Sequence, residues 1–154
     1  MDFQEFVGYF HPELFISELK SKTRDETLDE MVDALSKYKD LKDKRLILEM
    51  LKRRENLGST GIGHGIAIPH GRSLSIKDMS VTFAKSTPGI PYHSIDDEPV
   101  HIIFMVVAPP HESSQNYLPF LGKLVEILKV ESNREQLAKC ESFDQLIDIL
   151  AGGF

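Results

Sequence analysis

The sequence predicts a single α/β domain, because helical and strand-like patterns alternate along 154 residues and no linker, repeat or low-complexity segment divides them. Two helical patterns come first, a glycine-rich stretch and two strand-like stretches follow, and three helical patterns close the chain. A chain of this length buries roughly 68–70% of the surface that it exposes when unfolded, so folding requires no cofactor or disulfide. We therefore expect one domain over residues 1–154.

Capping residues and apolar stripes mark the helices. Thr23 and Glu26 have the spacing of a capping box before an apolar stripe, which predicts a helix from Arg24 to Tyr38. In the last third of the chain, a stripe of leucines predicts another helix and two further capping boxes predict two more. These signals are the stripe Leu118, Leu121, Leu124, Val125 and Leu128, the pair Ser132 and Glu135, and the pair Ser142 and Gln145, with Gly152 and Gly153 ending the last helix.

The second helix carries an arginine where apolar residues are expected. This helix should begin near Asp43 and bury Ile47, Met50 and Leu51, and the next position on the same stripe is Arg54. Such an arginine is either a snorkelling side chain at a helix end, which is common, or a partly buried guanidinium that binds an anion. Position alone leaves both interpretations open.

Two stretches after the glycine-rich segment have the patterns of strands. Met79, Val81 and Phe83 alternate with polar residues, which predicts a half-exposed strand. The apolar run from Val100 to Val107 predicts a fully buried strand. A brief strand is also expected at Ile66 to Ile68. The order of the strands in a sheet does not follow from these patterns.

Charge and composition argue against several classes of protein. The chain has 18 Lys plus Arg against 24 Asp plus Glu, a net charge of −6, which disfavours a nucleic-acid partner. Cys140 is the single cysteine, and the N-terminus lacks the basic and apolar regions of a signal peptide. The longest apolar stretch, Val100 to Pro110, falls short of the ~20 residues of a membrane helix. We therefore expect a cytoplasmic protein without membrane insertion.

The segment from Gly58 to Arg72 concentrates the residues that carry chemistry. Its five glycines leave backbone N–H groups open to an anion, and Ser59, Thr60, His64 and His70 lie among them. The lysine of a P-loop and the third glycine of a dinucleotide-binding loop are both missing, which disfavours a nucleotide site. A G-x-S-x-G elbow is also missing, so acyl transfer has no support. The two histidines belong to no H-E-x-x-H motif or cysteine cluster, so no metal is expected.

A histidine nucleophile is the chemistry that remains for this segment. A neutral imidazole attacks phosphorus through one ring nitrogen while the other holds its proton toward an acceptor. Phosphoryl transfer otherwise requires mainly positioning, cations and N–H donors. Pro69 and Gly71 shape the chain around His70, and Arg54 and Arg72 are candidate cations. His70 is thus a candidate nucleophile, although a lone histidine beside proline and glycine is more often structural.

The run from Arg54 to Gly71 closely resembles the signature of the fructose/mannitol-type enzyme IIA domains of the bacterial phosphoenolpyruvate-dependent phosphotransferase system. Glu55 is followed after six positions by Ile62-Gly63, and then by Ile66-Ala67-Ile68-Pro69-His70-Gly71, as in the family pattern. Length and element order also agree with the family. The stretch from Gly58 to Gly63 is most similar to the nitrogen-regulatory branch.

This resemblance implies a fold, a reaction and partners. The fold would be the mixed β-sheet flanked by helices of enzyme IIA type 2 domains. His70 would accept a phosphoryl group from the carrier protein HPr or a nitrogen-type homologue, without a cofactor, and Arg54 would reach the phosphoryl oxygens. Ser59 and Thr60 would bond the phosphate or cap their own turn, and Gly71 would free the turn after the histidine.

Two positions depart from the family pattern. Many relatives have a second histidine where this chain has Tyr117, before Leu118. A tyrosine hydroxyl can donate a hydrogen bond to phosphate or orient His70, but it is not a cation. His64 stands at a loop position that is often Asn or Glu in relatives. Either change is expected to affect the lifetime of a phosphohistidine.

The other histidines are expected outside the site. His11, His93 and His111 lie in predicted loops or beside proline, so we expect them at the surface. His101 begins the buried strand and is expected to be a hydrogen-bonded structural histidine.

The resemblance leaves three functions to compare. The leading hypothesis is a standalone regulatory enzyme IIA of the nitrogen type, in which the state of His70 changes the surface offered to regulatory target proteins. The alternative is a sugar-transport IIA of fructose or mannitol type that passes phosphate to a IIB domain. The chain ends at Phe154 without a IIB, HPr or membrane segment, which favours regulation. A binding module that has lost phosphoryl transfer is a third hypothesis, motivated by Tyr117.

Overall fold

The computed structural model describes residues 1–110 and 113–154, which form six α-helices, a turn of π-helix and six strands. The helices are α1 (Phe3–Val7), α2 (Arg24–Lys39), α3 (Lys44–Leu57), α4 (Leu118–Leu128), α5 (Glu131–Ala138) and α6 (Phe143–Ala151), with the π-helical turn (Ser113–Tyr117) before α4. The strands are β1 (Phe10–Ile16), β2 (Gly61–Gly63), β3 (Ile66–Ala67), β4 (His70–Arg72), β5 (Ser80–Ile90) and β6 (Val100–Ala108). His111, expected at the surface, lies outside the described residues.

The strands form one mixed sheet in the order β1-β5-β6-β3-β2, and β4 also pairs with β6. Strand β1 is parallel to β5, and β3 and β4 are both parallel to β6, whereas β5 with β6 and β2 with β3 are antiparallel. Ile66 pairs with Ile102 and His70 with Val106, so β3 and β4 lie one after the other along the same edge of β6. The sheet therefore holds the start of β4 firmly in register.

Helices cover both faces of this sheet and enclose two apolar cores. Alternate strand residues such as Phe83 and Phe104 pack with α1, α4, α5 and α6, whereas Ala84 and Met105 pack with α2 and α3. Tyr117 belongs to the first of these cores. This architecture confirms the mixed sheet flanked by helices. No helix of the described residues is long and apolar enough to cross a membrane.

Strand β5 is buried on both faces, so the prediction of a half-exposed strand is wrong. Ser80 and Thr82 are as inaccessible as Val81 and Phe83, with which they alternate. The hydroxyl groups of Ser80 and Thr82 make no hydrogen bond with the described residues. Small polar side chains can be covered by a helix, so their alternation with apolar residues does not guarantee a solvent-facing side. Strand β6 is buried as predicted, from Val100 to Ala108, apart from the half-buried His101.

The helix caps agree with the sequence at two of three positions. Thr23 caps α2 and Ser142 caps α6, each accepting a hydrogen bond at 3.2 Å from the backbone N–H three residues later. Helix α5 instead begins at Glu131 after Val130, which provides no side-chain cap. The predicted capping box at Ser132 and Glu135 is therefore wrong, because the helix has already started when the chain reaches it.

Candidate functional site

His70 lies at the start of β4, beside a depression of about 600 Å³. One wall of the depression comes from the end of α3 and from β2, which contribute Arg54 and Ile62. The other wall comes from α4, which contributes Leu118 and Leu121. A larger depression of about 740 Å³ between β1 and α2 contains none of the predicted site residues. Of the predicted site residues, Arg54, Ser59, Thr60 and His70 line the smaller depression, whereas His64, Gly71 and Tyr117 do not.

One hydrogen bond defines the protonation of the His70 ring. Its Nδ1 atom lies 2.6 Å from the carbonyl oxygen of Ile68. A carbonyl only accepts hydrogen bonds, so Nδ1 carries a proton and the lone pair of the neutral ring is on Nε2. The backbone around this contact is fixed on both sides. Ile68 donates its N–H to Thr60 at 3.0 Å, and the carbonyl of Pro69 accepts from Val106 at 2.9 Å.

Arg54 reaches the same depression from the last turn of α3. Its side chain is half-buried, and Nη1 donates a hydrogen bond of 2.7 Å to the carbonyl of Gly58. The apolar stripe of α3 continues from Ile47 and Leu51 to Glu55 rather than to Arg54. Met50, expected to be buried, is half-buried. The guanidinium thus lies at the edge of the stripe, with its further N–H groups available as donors.

The ring of Tyr117 lies near the ring of His70 and also near the guanidinium of Arg72. The Tyr117 ring is buried, and its centroid is 6.4 Å from the centroid of the His70 ring. The Cζ atom of Arg72 is 4.9 Å from the Tyr117 centroid, within the range of a cation–π contact. Burial raises the pKa of Tyr117 to about 12, although the positive charges of Arg72 and Arg54 oppose this shift. The hydroxyl therefore remains a hydrogen-bond donor at neutral pH.

Ser59 and Thr60 use their hydroxyl groups within the loop. The Ser59 hydroxyl donates to the carbonyl of Tyr92 at 2.9 Å and accepts from the N–H of Gly61 at 3.0 Å. The Thr60 hydroxyl is buried and donates to Glu55 at 2.7 Å. Both residues line the depression, and these bonds hold the loop in its conformation.

His64 and Gly71 do not line the depression beside His70. His64 is exposed, its backbone N–H bonds to Asp96 at 3.0 Å, and it lines a separate depression with His101. The structure therefore does not bring His64 together with His70. At Gly71, a Cβ atom would lie 2.0 Å from the sulfur of Met50. The glycine thus makes room for α3 against β4.

Glu55 is a site residue whose role was not predicted from the sequence. Its side chain is only 4% exposed, and its carboxylate accepts two hydrogen bonds from Thr60, at 2.6 Å from the N–H and 2.7 Å from the hydroxyl. The available signal was its position four residues after Leu51 and eight after Ile47 on an apolar stripe. A carboxylate there must be buried, and a buried carboxylate requires polar partners.

Comparison with known proteins identifies the family. Residues 8–152 match the family model described as "Phosphoenolpyruvate-dependent sugar phosphotransferase system, EIIA 2". The chain belongs to this family. As an EIIA protein it is a phosphocarrier of the phosphotransferase system, and such proteins take phosphate on a histidine and pass it on. EIIA proteins work with HPr-type donors and IIB acceptors.

Relatives of this EIIA chain have both transport and regulatory names. It is 38% identical over 132 residues to the fructose-specific EIIABC component of Bacillus subtilis. This match covers 86% of the chain but only 21% of that protein. It is 31% identical over 139 residues to the fructose-specific EIIA component of Haloferax volcanii, with 90% of each covered. It is 26% identical over 140 residues to the nitrogen regulatory protein of Bradyrhizobium diazoefficiens, covering 91% and 90%.

Solved structures of EIIA proteins share the fold. The nitrogen regulatory protein IIA-Ntr from Neisseria meningitidis is 27% identical, with a TM-score of 0.85 over 93% of this chain and 97% of that one. IIA mannitol from Escherichia coli is 23% identical, with a TM-score of 0.76 over 92% and 98%. The second likeness concerns the fold alone.

Proposed function

We propose that His70 is the residue on which this EIIA chain carries the phosphoryl group. The observation that carries the proposal is the 2.6 Å contact between Nδ1 of His70 and the carbonyl of Ile68. It keeps the proton on Nδ1 and leaves the lone pair of Nε2 as the nucleophile. His70 also ends the Ile-Ala-Ile-Pro-His run of the family signature.

In the proposed step, Nε2 of His70 forms a bond to phosphorus while the bond from phosphorus to the donor's histidine nitrogen breaks. The electron pair of the broken bond stays with the donor nitrogen, and the donor ring leaves as a neutral imidazole because its other nitrogen carries a proton. The ring of His70 gains positive character during attack, and the carbonyl of Ile68 stabilises it through the Nδ1 proton. Reversal of the step with a different acceptor discharges His70.

Arg54 and Tyr117 are the proposed ligands of the phosphoryl oxygens. Arg54 would exchange its bond to the carbonyl of Gly58 for a charge-assisted bond to the phosphoryl group, which is the stronger partner. Tyr117 would donate a hydrogen bond through its hydroxyl, whose pKa is raised further above neutral by burial. We propose that Ser59 and Thr60 orient the loop, since their hydroxyl groups are bonded within it.

An apolar surface beside His70 is the proposed docking site for protein partners. Ile62 is 42% exposed and Leu118 is 60% exposed, and both line the depression with Arg54 and Lys129. Exposed apolar side chains with cations at their margin are typical of a transient protein interface. We propose HPr or its nitrogen-type homologue as the donor. We propose the cytoplasm as the location, where PTS IIA domains typically work.

A regulatory role of the nitrogen type is the leading proposal, and a sugar-transport role is the alternative. The likeness to IIA-Ntr from Neisseria meningitidis supports regulation. The 38% identity to the fructose-specific component of Bacillus subtilis supports transport. In the regulatory case, phosphorylation would change the surface offered to target proteins by about −2 charges. A module without phosphoryl transfer is the weaker proposal, since Arg54 and His70 are both present.

The proposal is tested by incubating the chain with phosphoenolpyruvate, enzyme I and HPr and measuring an acid-labile gain of one phosphoryl mass. We expect the gain in the wild type and not in His70→Ala. The control is His93→Asn, which changes an exposed histidine in the left-handed conformation that asparagine accepts. No gain in the wild type, under conditions that label a known EIIA, would refute the carrier function. Unchanged labelling of His70→Ala would refute the site.

The acceptor is tested with the same phosphorylated protein. Addition of fructose- or mannitol-specific IIB domains should leave a regulatory EIIA largely phosphorylated. Rapid discharge onto either IIB domain would support transport and contradict the regulatory proposal.

A further inference from the structure

A chain of hydrogen bonds connects the buried carboxylate of Glu55 to the ring of His70. The carboxylate accepts from the N–H and the hydroxyl of Thr60, at 2.6 and 2.7 Å. The carbonyl of Thr60 accepts from the N–H of Ile68 at 3.0 Å. The carbonyl of Ile68 then accepts from Nδ1 of His70 at 2.6 Å. The chain thus runs from α3 through Thr60 to the segment between β3 and β4, and ends at the ring.

The first link is strong because Glu55 is buried. A carboxylate removed from water is strongly destabilising unless it accepts hydrogen bonds, and Thr60 supplies two of them. Tyr92 is buried near the carboxylate, and the pKa of its hydroxyl is raised by burial and by the negative charge of Glu55. The carbonyl of Tyr92 accepts from Ser59, next to Thr60. The loop is thus held at two adjacent residues.

The same turn of α3 carries Arg54. Glu55 therefore fixes the loop to the helix that presents the guanidinium, and through Thr60 and Ile68 it fixes the acceptor of the His70 proton. The buried carboxylate of Glu55 thus influences both the position of the Arg54 guanidinium and the tautomer of the His70 ring.

We infer that Glu55 is a positioning residue for phosphoryl transfer, which acts on His70 through Thr60 and Ile68. This inference rests on the proposed function of His70. Without the carboxylate, Thr60 loses two acceptors, the loop moves away from α3, and the carbonyl of Ile68 no longer holds Nδ1. A larger fraction of the rings then carries the proton on Nε2, where it blocks attack.

The test measures the tautomer of His70 and the rate of phosphorylation in the same variants. Nitrogen-15 shifts of the imidazole in the unphosphorylated protein give the tautomer, and labelling by phosphorylated HPr gives the initial rate. Glu55→Ala should increase the Nε2-protonated fraction and slow labelling roughly 100-fold, the loss expected from a misplacement of about 1 Å. Glu55→Gln should restore most of the wild-type tautomer and most of the labelling rate, because its amide oxygen still accepts a hydrogen bond from Thr60.

Two further variants separate positioning from stability. Glu49→Ala removes an exposed carboxylate from the same helix and should change neither quantity. Thr60→Val removes only the hydroxyl link, so it should shift the tautomer in the same direction as Glu55→Ala but less. It also carries the test if Glu55→Ala does not fold. Rates are compared per folded molecule, with circular dichroism to measure folding.

The outcomes distinguish this inference from the proposed function. Folded variants at Glu55 and Thr60 that keep the wild-type tautomer would overturn the positioning role, even if their labelling slowed. The tautomer is measured without any transfer, so it does not depend on the reaction. Persistent labelling of His70→Ala would instead overturn the proposed function.

Discussion

The Nδ1 atom of His70 lies 2.6 Å from the carbonyl oxygen of Ile68, two residues earlier in the chain. Pro69 between them restricts the backbone, and its own carbonyl is held by the N–H of Val106. The backbone on both sides of the Ile68 carbonyl is therefore fixed, and the carbonyl is in place to accept from the His70 ring. The consequence is a ring with a defined nucleophilic nitrogen before any partner arrives.

Replacement of Arg54 should slow phosphorylation more than it affects folding. We expect Arg54→Ala to lower the initial rate of labelling by phosphorylated HPr roughly 100-fold, the loss seen when one donor to a developing charge is removed. Arg54→Lys should recover only part of it, because an ammonium lacks the planar fork of a guanidinium. The matched control is Arg53→Ala, which removes an exposed guanidinium one residue away. Equal rates for Arg53→Ala and Arg54→Ala would contradict the role of Arg54.

Arg72 should depend on the ring of Tyr117 for its effect on His70. His70 and Arg72 are two residues apart in β4 and so face the same side of the strand, where Tyr117 contacts both side chains. We expect Arg72→Gln to slow labelling about 5-fold in the wild type and in Tyr117→Phe, but to have little further effect in Tyr117→Leu. The measurement is a double-mutant cycle on the initial rate.

The control for this cycle is Arg45→Gln, which removes the same charge from the far end of α3, where Arg45 is 79% exposed. Arg45→Gln should change the initial rate of labelling by the same factor in the wild type, in Tyr117→Phe and in Tyr117→Leu. If Arg72→Gln slowed labelling as much with Tyr117→Leu as with Tyr117→Phe, the aromatic ring would have no part in placing the guanidinium.

A methyl group at Gly61 should destabilise the fold, whereas one at Gly122 should not. At Gly61 a Cβ atom would lie 2.2 Å from the hydroxyl oxygen of Ser94 and 3.0 Å from its Cα, so backbone must move. We expect Gly61→Ala to lower the free energy of unfolding by about 1–3 kcal/mol. At Gly122, inside α4, a Cβ atom would meet nothing within 4 Å among the described residues apart from its chain neighbours and the nearby backbone of its own helix. Alanine should therefore stabilise by about 0.5–1 kcal/mol. Urea unfolding of both variants measures the difference.

Tyr117 should contribute to unfolding at alkaline pH. Burial raises its pKa to about 12 from an ordinary 10.0, so the native state binds the phenolic proton more tightly than the unfolded state. Its contribution is complete below pH 10 and is lost between pH 10 and about 12, in total on the order of 2 to 3 kcal/mol. Tyr117→Phe should flatten the fall of stability in this range. An unchanged pH profile of urea unfolding would contradict the assignment.

Local signals were enough to predict much of the fold. Helix α2 begins after Thr23 as expected, and the unbroken apolar run of β6 marks a buried strand. The N-terminal elements α1 and β1 were not predicted. Asp2 and Glu5 do form a capping box, but α1 has only five residues, Phe3–Val7, and is too short to show an apolar stripe. Strand β1 depends on pairing with β5, which no local pattern contains.

The site was predictable only where its contacts are local. His70 and its glycine-rich surroundings are contiguous in the sequence. Arg54 was expected on the apolar stripe of α3, but it lies at the edge of the stripe, which continues to Glu55. The contact of Arg72 with Tyr117 joins distant parts of the chain through the sheet and α4, so spacing could not reveal it. Glu55 was visible as part of a signature, but its partner Thr60 became evident only from the turn that follows α3.

The most direct test of the account is the nitrogen that carries phosphorus in the phosphorylated protein. A proton–nitrogen correlation spectrum of the histidine ring, recorded after labelling by phosphorylated HPr, shows which ring nitrogen couples to phosphorus. The contact between His70 and Ile68 predicts coupling at Nε2 of His70, with Nδ1 still protonated. Coupling at Nδ1, or on another histidine, would contradict the account.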